Sequence, residues 1–256
     1  MKYTILASII ALVMVASVSA DPDLVLYFSF DNFGDVVPDE SGKGNDGMIM
    51  GSVVMDADGN RGGAASFADE GYIDLEGANF PASDIPVEAM TLCAWAKVED
   101  TGGHHAIFNA RANDETWVIH PELRSDGGFR WLLRAAGGNT IFDIRAGSWT
   151  PGEWVHFGGV YSSTDSMATL YVNGVEAGTE DARIPNAQIV SDWGMGARVG
   201  KNIDDARPFT GLMDDLCIYK RALTVDEIAE VMAGGPPSAA PVSPESSLAV
   251  TWGSIK

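Results

Sequence analysis

Ala168-Thr169-Leu170-Tyr171-Val172-Asn173-Gly174-Val175-Glu176-Ala177 decides the fold class. Two β-forming runs, Leu170-Tyr171-Val172 and Val175-Glu176-Ala177, flank Asn173-Gly174. That pair is the preferred centre of a type I′ turn, because both central residues need positive φ. The stretch therefore predicts a two-residue β-hairpin. Short strands recur on both sides of it, at about 105–110, 115–120, 128–134, 140–145 and 153–161 upstream and about 196–200 and 212–219 downstream. Met90 to Val98 alternates, with Thr91, Cys93 and Trp95 on one face and Leu92, Ala94 and Ala96 on the other, the pattern of a half-buried strand. Residues 24–30 form a first strand, and residues 64–75 read as two short strands around Asp69-Glu70-Gly71. Residues 31–51, rich in Asp, Asn and Gly, read as a long loop. Helix enters only after the last strand. Thr224-Val225-Asp226-Glu227 is a capping box, Ile228, Val231 and Met232 form an apolar stripe, and Gly234 ends it. Many short strands and one terminal helix predict an all-β fold, a sandwich with a short C-terminal helix.

The length, 256 residues, suits one such sandwich with a short tail, and 29 glycines suit a chain of many tight turns. Acidic residues outnumber basic ones 36 to 16, a net charge of −20. This argues against nucleic acid or an anionic membrane as partner, since phosphate binding needs clustered Lys and Arg. It is compatible with cations and neutral glycans, and equally with solubility alone. Lys2, the apolar run from Ile5 to Val18 and the small residues Val18-Ser19-Ala20 read as a signal peptide over 1–20. No later apolar stretch reaches spanning length, so no integral membrane segment is expected in the mature chain. A sandwich domain is then expected over 21–233, a Pro/Ser-rich linker over 234–247 and a short tail over 248–256, either a sorting or docking element or a frayed end. Cys93 and Cys217 are the two cysteines. Export permits one disulfide between them, and the alternative is two buried thiols.

The order of motifs resembles the LamG-like and pentraxin-like jelly rolls of the concanavalin A-like lectin/glucanase superfamily. Tyr27-Phe28-Ser29-Phe30-Asp31 is similar to the family's first strand, and Asp39-Glu40-Ser41-Gly42-Lys43-Gly44-Asn45 to its D-S-G-x-G-N loop. Met90 to Ala96 matches F-T-x-x-x-W, and Gly152 to Tyr161 matches G-x-W-x-H-h-A-x-x-Y. Leu170 to Gly174 matches the family hairpin, and Gly211 to Thr224 matches the closing strand with its R-A-L-S/T helix entry. Each motif alone is weak; six in order over residues 24–233 are specific. The resemblance implies a two-sheet antiparallel jelly-roll sandwich over 21–233 with adjacent first and last strands, and ligand recognition far more often than catalysis.

It also implies a structural calcium near where those strands meet. The matching residues are Asp31, Asn45 and Asp214, with carbonyls near Gly44, although Asp and Asn here also suit turns. From the pentraxin side comes a possible second metal or ligand site, matched by Asp114 in one loop and by Asn202 and Asp204 in another, where solvated loop charge is the alternative. Trp117, Trp131 and Trp193 are candidate sugar platforms, against the alternative that they are core. Trp95 and Trp154 fall in family core strands. The alternating acids of the family's β-glucanases, Glu-x-Asp-x-x-Glu, are missing. Asp214 and Asp215 are adjacent and would point to opposite faces of a strand. Glu122-Leu123-Arg124 has a faint likeness to an alginate-lyase strand, without that enzyme's partner motifs. The expectation is a secreted, non-catalytic module binding a glycan or glycoprotein surface. The alternatives are an adhesive surface protein with protein partners and, third, a divergent polysaccharide hydrolase or lyase.

Overall fold

The computed structural model describes residues 21–77, 79–99 and 102–236. The expected signal peptide, the linker from 237 onward and the tail at 248–256 lie outside the described residues. Sixteen strands are described: β1 (Leu24–Phe28), β2 (Val36–Val37), β3 (Gly47–Asp56), β4 (Ala64–Asp74), β5 (Ala89–Val98), β6 (His105–Ala106), β7 (Phe108–Arg111) and β8 (Trp117–Ile119). They continue as β9 (Glu122–Leu123), β10 (Phe129–Arg134), β11 (Thr140–Ala146), β12 (Val155–Ser162), β13 (Met167–Val172), β14 (Val175–Asp181), β15 (Gly196–Val199) and β16 (Gly211–Tyr219), followed by α1 (Val225–Gly234).

All ladders are antiparallel, and one hydrogen-bonded network folds over into two layers. The first layer runs β14-β13-β12-β5-β16, with β1 beside the second half of β16 and β4 beside its first half. β4 leaves β16 after Phe67 and pairs with β15 at Ile73 and Asp74, which carries the network into the second layer, β15-β7-β8-β10-β11. The core lies between the layers. The Trp131 ring meets Phe142 at 5.6 Å and Phe157 at 6.0 Å, and Phe142 meets Tyr161 at 5.5 Å. Gly159 of β12 is required here, because a Cβ would stand 2.8 Å from the Trp131 indole.

The hairpin forms as its sequence requires, with Asn173 at φ 51° and Gly174 at φ 74°. First and last strands are neighbours, with Tyr27 opposite Cys217 and Phe28 opposite Leu216. On β5, Leu92, Ala94 and Ala96 enter the main core, whereas Cys93 joins Cys217, Tyr219 and Leu223 beneath Ile228 and Val231 of α1. The capping box at Thr224 and Glu227 is formed.

Three local expectations are corrected. The supposed loop at 31–51 contains β2 and the start of β3, a ten-residue strand whose Met48, Met50, Val54 and Met55 are exposed, so no apolar-in, polar-out alternation marks it. Residues 64–74 form one strand with a bulge where Asp69 and Glu70 take φ of 47° and 62°. Asp214 and Asp215 do not diverge, because the ladder slips between Asp214 and Cys217 with Asp215 at φ 50°. Both carboxylates therefore reach Arg61: its main-chain N–H donates to Asp214 Oδ2 at 3.0 Å and its Nε to Asp215 Oδ2 at 2.9 Å.

Candidate functional site

β10 sends Phe129, Trp131 and Leu133 inward and Arg130 and Arg134 outward, as period 2 demands. Those two arginines line a cavity of about 220 Å³ on the outer face of the second layer, with Trp117 of β8 and His120 just beyond it. The loop after β15 supplies the other wall through Asn202, Asp204 and Arg207. That loop is tied to the sheet by Asn109, fully buried on β7, whose Oδ1 accepts the Ile203 N–H and whose Nδ2 donates to the Ile119 carbonyl. Within the loop the Asp204 carboxylate accepts the Ala206 N–H. Asp205 and Arg207 hold φ of 62° and 54°, a conformation uncommon for residues with a side chain, and this shape brings Arg207 to the cavity.

The charges in this wall are unevenly matched. Glu122, 1% exposed, is shared by Arg124 at 2.7 Å, Arg207 at 3.2 Å and Arg130 at 3.7 Å. Arg130 also grips both oxygens of Asp143, at 2.6 and 2.9 Å. Against the upward push of burial, Arg130 and then Arg145 hold the Asp143 carboxyl below the usual carboxylate range. Arg134 donates to the Trp117 carbonyl at 2.8 Å and, among the described residues, has no carboxylate partner. Burial and the adjacent Arg130 depress its guanidinium below its ordinary value. His120 is 7% exposed and neither ring nitrogen has a hydrogen-bond partner. Burial, then Arg134, Arg130 and Arg207, pushes the imidazole down to about 3, so it is neutral at neutral pH.

Of the expected sugar platforms, only Trp117 reaches this cavity. It is half-buried, with the Arg111 guanidinium 4.4 Å from its ring centroid and the His120 ring 5.5 Å away. Trp131 and Trp193 are corrected to core residues, 0% and 1% exposed; Trp193 packs on Phe80 at 4.6 Å and Phe108 at 5.5 Å. Asn202 and Asp204 line the cavity, whereas Asp114 does not: it sits fully exposed in the β7–β8 turn, accepting the Thr116 N–H. The calcium trio is divided. Asp31 and Asp214 both accept N–H groups from one turn, from Gly63 at 2.8 Å and Arg61 at 3.0 Å. Asn45 belongs to another cluster, donating to the Val25 carbonyl and to Asp84. Among the described residues no group of three or more His, Cys, Asp or Glu side chains is gathered as a metal cage. Cys93 and Cys217 are free buried thiols placed directly opposite each other on β5 and β16.

Sequence reading missed His120, Arg130, Arg134 and Arg207. The one local signal was Phe129-Arg130-Trp131-Leu132-Leu133-Arg134, where arginines four apart share the outward face of a strand whose other face is aromatic and aliphatic.

The human pentraxin-related protein PTX3 is 24% identical to this chain over 162 residues, 60% of the chain, which spans 41% of that relative's length. Domain 4 of AbnA, an extracellular arabinanase from Geobacillus stearothermophilus solved with arabinotriose, superposes with TM-score 0.58 at 22% identity, over 82% of this chain and 98% of that one. A Ruminococcus gnavus sialidase module, CBM40, bound to α2,3-sialyllactose, superposes with TM-score 0.56 at 17% identity, over 66% of this chain and 96% of that one. At these identities the structural likeness shows a shared fold. Among the described residues, no helix is long and apolar enough to cross a membrane. The family model for the concanavalin A-like lectin/glucanases superfamily matches residues 68–229, more than half of the sequence, and the chain belongs to that superfamily.

Proposed function

We propose that this chain is a secreted, non-catalytic carbohydrate-binding module that takes a sugar into the cavity between β8, β10 and the 202–207 loop. The observation that carries the reading is the lining of that cavity, where the half-buried Trp117 ring stands among the polar side chains of Arg134, Asn202 and Asp204 on the outer face of the second layer. An aromatic ring receives the apolar face of a sugar, while neighbouring amide, carboxylate and guanidinium groups exchange hydrogen bonds with its hydroxyls. The cavity is smaller than the roughly 300–1,000 Å³ of sites for drug-sized ligands, which suits one sugar-sized group. Two proteins of the same fold are described with oligosaccharides bound. Catalysis is disfavoured by the state of the acids. Glycosidases need one carboxyl held protonated near a second one. Glu122 and Asp143 are tied to arginines, and Asp214, which burial and then Asp215 push up to about 7, is 0% exposed. The test is a glycan array probed with the wild type and with Trp117→Ala and His120→Ala. Retention by wild type and its loss in both variants is expected; wild type retained on no glycan overturns the reading. One observation favours the second reading, adhesion to a protein: the exposed Met48, Met50, Val54 and Met55 on β3.

The reading includes a structural calcium at the 59–63 turn, with Asp31 and Asp214 as its carboxylates. Asp214 Oδ1 is buried without a partner, and a hard cation would use it together with backbone carbonyls. Asn45, engaged elsewhere, is left out of the set. The reading also includes export through the 1–20 segment and, in an oxidising compartment, closure of the facing Cys93 and Cys217 into a disulfide.

A further inference from the structure

We infer that the cavity selects acidic sugars, with Arg134 pairing to a carboxylate carried by the saccharide. The inference rests on reading the cavity as a sugar site and deepens it. Although the chain carries −20, five of its 16 basic residues gather on and around the outer face of β10: Arg124, Arg130, Arg134, Arg145 and Arg207. Four of them share three carboxylates of the chain. Glu122 serves Arg124, Arg130 and Arg207, Asp143 serves Arg130 and Arg145, and Asp126 serves Arg124. Arg134 is left with a carbonyl. It is half-buried beside two other guanidinium groups, where an unmatched charge is expensive to hold. A neutral sugar would leave it unmatched and dehydrate it further, whereas an anionic one would complete it.

The form of the anion follows from the groups present. The guanidinium is a planar fork that pairs best with a planar carboxylate in bidentate fashion. Asn202, on the facing wall of the cavity, carries the amide donor and acceptor that a sugar hydroxyl requires. The basic surface also continues past the cavity. A second concavity of about 340 Å³ at the other end of β10 is lined by Arg124 and Arg145, with Asp126 as its one acid. Arg130 and Arg134 lie at the first cavity and Arg124 and Arg145 at the second, so the face offers cationic positions along its length to a polymer with charge on successive units.

The test is calorimetric titration of the full chain with matched pairs: galacturonate trimer against galactose trimer, sialyllactose against lactose, and a sulfated disaccharide against its unsulfated form. The acidic member of a carboxylated pair is expected to bind at least about tenfold more tightly, about 1.4 kcal/mol, and the preference should shrink as salt is raised. Arg134→Gln should abolish the preference, and Arg134→Lys should keep part of it. Equal binding of acidic and neutral members, or a preference intact in Arg134→Gln, overturns the inference and leaves the sugar-site reading standing. Sulfated sugars preferred over carboxylated ones overturn the carboxylate assignment. Binding of no saccharide sinks both. If Arg134→Gln fails to fold, by circular dichroism, the paired titrations of wild type and Arg134→Lys decide.

Discussion

At the scale of single residues, two tryptophans on neighbouring strands have opposite roles. Trp131 fills the space between the layers and donates its Nε1–H to the Val160 carbonyl at 3.2 Å. Trp131→Ala should destabilise the protein by about 3–5 kcal/mol, the range for large buried aromatics, read from urea unfolding. Trp117→Ala should cost far less stability and should remove sugar binding; a loss of binding only in step with a loss of fold would return Trp117 to the core. His120 gives a signed pH dependence. In the unfolded chain it titrates near about 6.5, and in the fold near about 3. The unfolded state therefore binds the proton first, and stability should fall as pH drops below the upper value and go on falling toward the lower one. His120→Gln should flatten that limb of a plot of Tm against pH, and an unchanged slope would refute the buried neutral imidazole. The roles of Trp117 and Trp131 were half legible. Alternation in residues 129–134 separates arginines from core, but Trp193 sits outside any strand and is buried by partners distant in sequence, Phe80 and Phe108. His120 and Arg207 meet because Asn109, accepting the Ile203 N–H, and the Ala106 N–H, donating to the Arg207 carbonyl, hold the 202–207 loop onto the sheet, a juxtaposition no local pattern carries.

At the scale of elements, legibility followed local determination. The 173–174 turn and the α1 cap were readable because the residues that need the conformation are the ones that adopt it. β3 was not, because beyond its short pairing with β2 it is an edge strand: its outward methionines are apolar like the inward positions, and its pairing with β4 is decided across the chain. The slip at Asp215 was hidden for the same reason, since period 2 has no term for a bulge. α1 carries the next prediction, because it covers the facing thiols. Thr224→Ala removes the cap and should cost about 0.5–2 kcal/mol. It should also loosen the lid over Cys93 and Cys217, so that a thiol reagent labels the reduced variant faster than the reduced wild type. Equal labelling rates would mean that the strands open independently of the helix. Under oxidising refolding the same pair should lose both titratable thiols. A loop this long is stabilised by about 4–5 kcal/mol on the chain-entropy account, seen as a rise in urea midpoint that reductant reverses.

At the scale of the whole molecule, the sandwich is closed where its ends meet. β1 lies against β16, Asp31 follows β1, and Asp214 lies on β16, so the 59–63 turn touches both ends of the fold through one carboxylate each. Arg61 neutralises Asp215 from that turn, and Tyr27 of β1 donates to the same carboxylate at 2.8 Å. This accounts for one of the two adjacent acids. Asp214 keeps a buried oxygen without a partner and lies beside a like charge, so the clamp in its metal-free form contains an electrostatic cost. Calcium would turn that cost into a link between the chain ends. At a concentration about 100 times its Kd the ion should add about 2.7 kcal/mol, and for a domain of this size each kcal/mol raises Tm by roughly 2–4 °C. A rise on that scale is expected in calcium, and EDTA should reverse it. Asp214→Asn separates metal binding from general stabilisation: it removes the buried charge along with a ligand. The variant should therefore match or exceed the metal-free wild type in Tm and show no response to calcium. A wild type with the same Tm in calcium and in EDTA would leave the Arg61–Asp215 pair as the whole of the clamp, and an unmetallated Asp214 would then be a fixed penalty in the fold.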